Sequence, residues 1–217
     1  MLRIKFCAGR QFRASKSASS PSAKPLVATL ADDTTDNKST NTMKKFLFYF
    51  AVTGWTLGLI VHLLSLADFD ITDKVPFVWV LHIGIFVVWL PTVLDLKKNE
   101  ELKAYQQSGM LNRMNPFGFF KIIFRQTPTW LTVIAIGGFF YAFVNSMLFM
   151  TSQLGTPDIR DGQYILHNHG QLIKTLTEQE YHHYKANEVR GFSGHWLAFY
   201  GLATAVLFPF NRQTTSE

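Results

Sequence analysis

The sequence predicts an all-α integral membrane protein, a four-transmembrane-helix bundle with a small hairpin-plus-helix outer loop between helices 3 and 4. Three observations lead to this fold class. Four segments stay apolar over about the 20 residues that a helix needs to cross a bilayer. Hydrophobic residues make up 47% of the chain, which includes 20 Phe. Basic residues gather in one of the connections, as the positive-inside rule requires.

Residues 1–42 differ in composition from the rest and form a predicted disordered leader. They hold seven of the 21 basic and three of the 15 acidic residues, which leaves 14 against 12 for residues 43–217. A basic, Ser-rich start is typical of a mitochondrial transit peptide. Met43 followed by two lysines and an apolar segment is equally typical of a bacterial start, with residues 1–42 as an upstream extension. We favour the second interpretation.

The membrane domain is predicted over residues 43–210, followed by a short tail at residues 211–217. Its first span opens after Lys44 and Lys45 and carries no formal charge until Asp68. The fourth is the weakest, because it begins with Ser193, Gly194 and His195. The predicted spans are 46–67, 75–94, 130–150 and 192–210.

The distribution of charge orients these spans. The connection between the second and third spans carries six basic residues: Lys97, Lys98, Lys103, Arg113, Lys121 and Arg125. Both termini and this connection are therefore expected on the inner side, with residues 68–74 and the outer loop 151–191 outside. We expect a bacterial inner membrane, or the mitochondrial inner membrane if the leader is a transit peptide. The segment Asn115–Arg125 favours a helix lying at the inner membrane surface.

The outer loop is predicted to fold into a hairpin and a helix. Two short apolar runs beginning at Gln163 and Gln171 flank His167-Asn-His-Gly170, a strand–turn–strand pattern. Thr177 and Glu180 then form a capping box that opens a helix through about Asn187.

Each predicted span brings one strong polar side chain into the outer leaflet. With a rise of 1.5 Å per residue, His62, His195 and Asn145 lie about 8–9 Å above the midplane and His82 about 4 Å above it. Imidazole binds haem and transition metals, and an Asn can hold a ligand's second ring nitrogen. One interpretation of the layer is a cofactor site for haem b or a transition metal. The other, which we favour, is that the four residues join helices through hydrogen bonds.

The outer loop offers a second set of possible metal ligands. His167 and His169 share a face only if that segment stays extended, and Glu178 and His182 share one on a helix. A zinc site needs three or four such ligands to converge. Solvated loop histidines are the competing interpretation.

No motif predicts a reaction, so whether the chain is an enzyme is left open. Ser193 and His195 point about 160° apart on one helix and do not form a serine–histidine pair. The single cysteine, Cys7, lies in the leader. Outside the leader a small net charge gives no reason to expect nucleic-acid binding.

The leading function is therefore a non-catalytic scaffold or assembly protein in the lipid bilayer. Other membrane subunits would contact small-residue faces at Gly54/Gly58 or Gly201/Ala205. The alternative is a haem- or metal-binding redox protein that uses the histidine layer.

Overall fold

The computed structural model describes residues 26–109 and 115–208. The chain divides into two units, Met1–Lys38 and Ser39–Glu217, and the arrangement described below belongs to the second. The predicted tail and residues 1–25 of the predicted leader lie outside the described residues. Helix α1 spans Leu26–Leu66.

Three helices are long and apolar enough to cross a membrane, which makes this a candidate membrane protein. The first is Ser39–Leu66 of α1, with a mean hydropathy of 1.8 in its most apolar window. The second, Pro76–Leu96, consists of a 3₁₀ turn, Pro76–Trp79, and α3, Val80–Leu96, with a value of 2.2. The third is α6, Thr129–Ser152, with a value of 1.9. They coincide with the first three predicted spans.

Helix α7, Glu178–Leu207, is a single helix of 30 residues. The predicted capping box at its start is confirmed, because the Thr177 and Glu180 side chains each bind the other's backbone N–H. The predicted end near Asn187 is wrong, since the helix continues into the predicted fourth span. Gly191 does not break the helix. A Cβ there would lie 2.6 Å from Phe149 Cγ, so this glycine lets α6 and α7 approach closely.

Helix α7 lies against each of the three apolar helices. Trp196 and Tyr200 are its largest buried side chains, and they share a core cluster with residues of α1 and α3. Ala205 packs with Leu131 and Ala135 of α6 in a second cluster. The other faces of α1, α3 and α6 carry exposed large apolar side chains, as lipid-facing helices do.

Short helices form the two connections that the sequence placed on opposite sides. In the first, α2 spans Ile71–Lys74 and is capped by the Asp70 carboxylate. In the second, α4 spans Glu100–Gln107 and α5 spans Pro116–Ile123, capped by the side chains of Asn99 and Asn115. A helix is therefore present where the sequence predicted one at the membrane surface.

An antiparallel sheet in the order β1-β2-β3 lies between α6 and α7 in the chain. Its strands are β1, Thr156–Arg160, β2, Gln163–Asn168, and β3, Gln171–Thr175. The predicted hairpin is confirmed as β2–β3, turning at His169 and Gly170 with φ of 47° and 84°. Strand β1 adds a third strand and stabilises the hairpin, because an isolated two-stranded hairpin is only marginally stable. This sheet is hereafter the cap.

Candidate functional site

Three of the four predicted layer residues bind helix α7 between Arg190 and Trp196, and the fourth, His195, lies on that stretch of α7. His62 Nδ1 lies 2.8 Å from Ser193 Oγ, and Asn145 Nδ2 donates to the Arg190 carbonyl over 2.9 Å. His82 Nδ1 accepts from the Trp196 indole N–H over 3.2 Å. The structure thus brings the four residues to one stretch of α7. This stretch and its partners are hereafter the polar seam: His62, His82, Tyr141, Asn145, Ser146, Arg190, Ser193, His195 and Trp196.

His62 is the most enclosed histidine of the polar seam. It is 2% exposed, and its second ring nitrogen, Nε2, pairs with the Tyr141 hydroxyl. The Ser193 hydroxyl donates to the Arg190 carbonyl over 3.3 Å, which leaves its oxygen to accept from His62. This assignment puts the His62 proton on Nδ1 and makes Nε2 the acceptor for Tyr141. Both ring nitrogens are therefore used in joining α1 to α6 and α7.

Ser193 and His62 have the separation of a nucleophile and its general base. Ser193, however, is fully buried, and His62 almost so. A nucleophile must meet a substrate atom, and no surface of Ser193 is open to one. The pair therefore acts as a cross-link between helices. Sequence reasoning missed it because the two residues lie 131 positions apart.

His195 joins α6 and α7 rather than facing His62. Its Nε2 lies 3.0 Å from Ser146 Oγ, and its Nδ1 donates to the Gly191 carbonyl over 3.0 Å. His82 instead packs edge-on against Phe86 and Phe192. Each layer histidine therefore has a partner within the protein, which is the arrangement of groups that join helices. Their assignment as cofactor ligands stays a prediction.

Arg190 is the first α7 residue of the polar seam and was not singled out from the sequence. Its Nη2 donates to Ser152 Oγ over 3.4 Å, whereas its buried Nε has no partner among the described residues. Beside it, the Asn187 amide binds Ser152 and donates to Gln153 Oε1 over 2.6 Å. These contacts extend the link between α6 and α7 toward the cap.

Three of the four loop histidines pair with aspartates. His182 Nδ1 lies 2.9 Å from Asp70 Oδ2, and His183 Nδ1 lies 2.7 Å from Asp68 Oδ2. Both pairs tie the connection before α2 to the first turns of α7. His167 is 3.8 Å from Asp158, across the strand pair β1–β2.

The predicted metal ligands His167, His169, Glu178 and His182 therefore lie in different settings. His169 is in the hairpin turn, so the extended segment that would align it with His167 ends there. Glu178 opens α7. Over residues 26–109 and 115–208, no group of three or more His, Cys, Asp or Glu side chains could hold a metal ion. The metal assignment stays a prediction.

The predicted small-residue faces meet helices of the same chain. A Cβ at Gly54 would lie 2.5 Å from Tyr200 Cε1, and one at Gly58 would lie 3.6 Å from Trp196 Cβ. A Cβ at Gly201 would lie 3.3 Å from Trp55 Nε1. These faces bring α1 against α7, and their use between chains stays a prediction.

Comparison of this chain with protein-family models, with curated proteins and with solved structures finds no match.

Proposed function

We propose that this chain is a four-span membrane protein with a non-catalytic role, a scaffold or assembly factor within a larger membrane assembly. Its fourth span would be the part of α7 from residue 192 onward, enclosed by the three apolar helices. Both termini would lie on the inner side and the cap outside, because the basic residues gather in the connection of α4 and α5. We place the protein in a bacterial inner membrane.

The non-catalytic role is proposed because the side chains of the polar seam bind other helices of the same chain. Polar side chains at membrane depth suggest function by default. Here His62, Asn145 and His195 each bind another helix of the same chain, and His62, Asn145 and Ser193 are buried. Such contacts hold a bundle together, and they occupy both ring nitrogens of His62 and of His195.

Exposed apolar side chains on the cap support a partner on the outer side. Leu172 and Ile173 of β3 are 62% and 45% exposed, and all five residues of this edge strand are exposed. An unpaired strand edge with apolar side chains is a surface that proteins usually cover. Because Gly54, Gly58 and Gly201 contact this chain's own helices, we expect partner subunits at the cap and at the outward faces of α3 and α6.

The test is to extract the chain from its native membranes in lipid nanodiscs and weigh the particles by native mass spectrometry. We expect a complex with a second subunit in fixed stoichiometry. The double variant Leu172→Asp, Ile173→Asp should release that subunit, whereas Gln171→Asp on the same strand should not. A single chain with no bound protein in every preparation would contradict the proposal.

The same sample tests the redox alternative. A Soret absorption band or one transition metal per chain, lost in His62→Ala and His195→Ala, would replace the scaffold by a cofactor protein. We expect neither signal, because His62 and His195 already use their ring nitrogens within the chain.

A further inference from the structure

A cavity of about 430 Å³ lies where Lys44 of α1, Asp95 of α3 and Leu207 of α7 come together. Helix α4 and the end of α5 form its other walls. The volume falls within the range of small-molecule sites. We refer to it as the inner cavity. Its lining includes Lys44, Asp95, Glu101, Leu102, Arg125 and Leu207.

The inner cavity lies at the boundary between the apolar helices and water. Asp95 is one residue from the end of the candidate span Pro76–Leu96. Lys44 is near the start of the candidate span Ser39–Leu66, and Leu207 is the last residue of α7. A ligand held there can place its head among polar groups and its tail in the bilayer.

Two ion pairs from different elements line the inner cavity. Lys44 Nζ lies 2.9 Å from Asp95 Oδ2, and these side chains are only 16% and 31% exposed. Arg125 pairs with Glu101, and both are more exposed. A third lining carboxylate, Glu100, pairs with Lys103 over 2.7 Å. With Lys103 counted, the three carboxylates at the cavity are matched by three cations.

Apolar side chains complete the wall of the inner cavity. Leu102 and Leu207 are 5% and 6% exposed, and Ile122, Ile123 and Val206 lie beside them. An entirely polar ligand would leave these groups unused. A wall that is part charged and part apolar fits an amphiphile.

We propose that the inner cavity binds one phospholipid whose head carries both a phosphate and a primary ammonium, as phosphatidylethanolamine does. Its phosphate would contact Lys44 and Arg125, and its ammonium would contact Asp95 and Glu101. An acyl chain would follow the apolar wall. A purely anionic head carries no cation of its own, so the carboxylates of Asp95 and Glu101 would repel it. A purely cationic head would be repelled in the same way by Lys44 and Arg125.

The inference uses the membrane placement and not the scaffolding role, so either can fail alone. Delipidated, detergent-purified full-length chain is titrated with phosphatidylethanolamine, phosphatidylglycerol or glycerophosphoethanolamine, and binding is read by native mass spectrometry. No partner subunit takes part in this measurement.

We expect one phosphatidylethanolamine per chain, bound about tenfold more tightly than phosphatidylglycerol, a difference of about 1.4 kcal/mol. Glycerophosphoethanolamine, which has the head without the chains, should bind at least about tenfold more weakly than the lipid. Equal binding of the head alone would show a site for a soluble zwitterion and overturn the lipid assignment. Equal or tighter binding of phosphatidylglycerol would overturn the zwitterionic head.

Charge-removing variants locate the site. Asp95→Asn and Lys44→Gln should each weaken phosphatidylethanolamine binding about tenfold. The matched controls are Asp73→Asn and Lys74→Gln, which change an exposed ion pair just before the candidate span Pro76–Leu96, at the opposite end from Asp95. Both controls should bind the lipid as the original chain does. If Asp95→Asn does not fold, Glu101→Gln and Arg125→Gln carry the test, since both side chains are largely exposed. Unchanged binding in folded cavity variants would contradict the proposal.

Discussion

Helices α6 and α7 differ in an unexpected direction, because the more apolar helix, α6, is the less buried of the two. Helix α6 is a candidate membrane span by hydropathy, yet only four of its 24 residues are buried. Helix α7 is not among the three candidate spans, yet 15 of its 30 residues are buried. In a water-soluble bundle the more apolar helix would be the more buried one.

If the three candidate spans lie in a bilayer, their hydropathy reflects contact with lipid rather than position in the core. Lipid tails are as apolar as leucine, so helices in a bilayer associate through close packing and polar contacts. Helix α7 supplies both, with Gly191 and Gly194 against α6 and with Ser193 and His195 in the polar seam. We therefore regard its weak hydropathy as the mark of the central helix.

The largest expected effect comes from placing a charge on the outward face of α6. Phe140 lies in the middle of this helix and is 64% exposed. Phe140→Arg should cost about 2.5–3.5 kcal/mol of insertion free energy, because a guanidinium would face hydrocarbon. The measurement is the fraction of chain inserted into membranes. Phe140→Leu is the control and should insert normally, and normal insertion of both variants would contradict a lipid-facing α6.

A methyl-bearing side chain added at a helix contact should have the next largest effect. Gly54 faces the Tyr200 ring, which is 1% exposed and donates to the Leu81 carbonyl over 2.7 Å. Gly54→Val should lower the unfolding free energy by about 1–3 kcal/mol through overpacking. Gly137→Val on α6 is the matched control, since no described atom lies within 4 Å of that Cβ. Equal thermal unfolding midpoints of the two variants in detergent would contradict the difference in packing between Gly54 and Gly137.

Removing one hydroxyl from the polar seam should have a smaller effect. Ser193→Ala leaves His62 Nδ1 buried without its partner, and helix–helix hydrogen bonds in membranes are worth about 0.6–1.7 kcal/mol. The control Thr56→Val removes an exposed hydroxyl whose hydrogen bond, among the described residues, is to the Val52 carbonyl of its own helix. Detergent unfolding curves should separate the two variants, and a Thr56→Val loss as large as that of Ser193→Ala would argue against a helix-joining seam.

The smallest expected effect is a local loss of stability at the start of α7 when the pH is lowered. The hydrogen bond from Lys174, with that from the Thr177 N–H, lowers the pKa of Glu180 from 4.5 to about 2. Because the folded pKa is the lower one, this contact stabilises the cap above about pH 4.5 and is lost as the pH falls toward 2. Amide exchange in β3 and in the first turn of α7 should therefore rise over that interval.

Glu180→Gln tests this assignment, because it removes the titrating group and should flatten that part of the exchange profile. Glu178→Gln changes the neighbouring first-turn carboxylate, which makes no ion pair within the described residues, and should retain the original profile. The same acid response in Glu180→Gln would assign it to other groups.

Much of this fold could be predicted from the sequence because the residues that determine each element lie within a short stretch of the chain. The three apolar spans, the β2–β3 hairpin and the capping box at Thr177 and Glu180 all follow from short stretches. Strand β1 was missed because Pro157 and Asp158 are poor strand formers. Its pairing with β2 decides its conformation.

The end of α7 and the polar seam depend on tertiary packing. The sequence predicted a helix end near Asn187 and a separate span from residue 192, whereas α7 continues through both, and Gly191 and Gly194 admit Phe149 and Asn145 of α6. The common depth of His62, Asn145 and His195 could be counted from the sequence. Their partners could not, because Ser193 and Ser146 become neighbours only when α1, α6 and α7 pack.

Lipid-phase carbene labelling of the unmodified protein measures directly whether α6 faces lipid while α7 is enclosed. A diazirine reagent dissolved in the bilayer is photolysed, and modified residues are mapped by mass spectrometry. We expect labels on the outward residues of α6, such as Phe140, Phe143 and Val144, and protection of Ala198, Ala203 and Ala205 on α7. Labelling of these α7 residues to the same extent, or an unlabelled α6, would contradict this expectation.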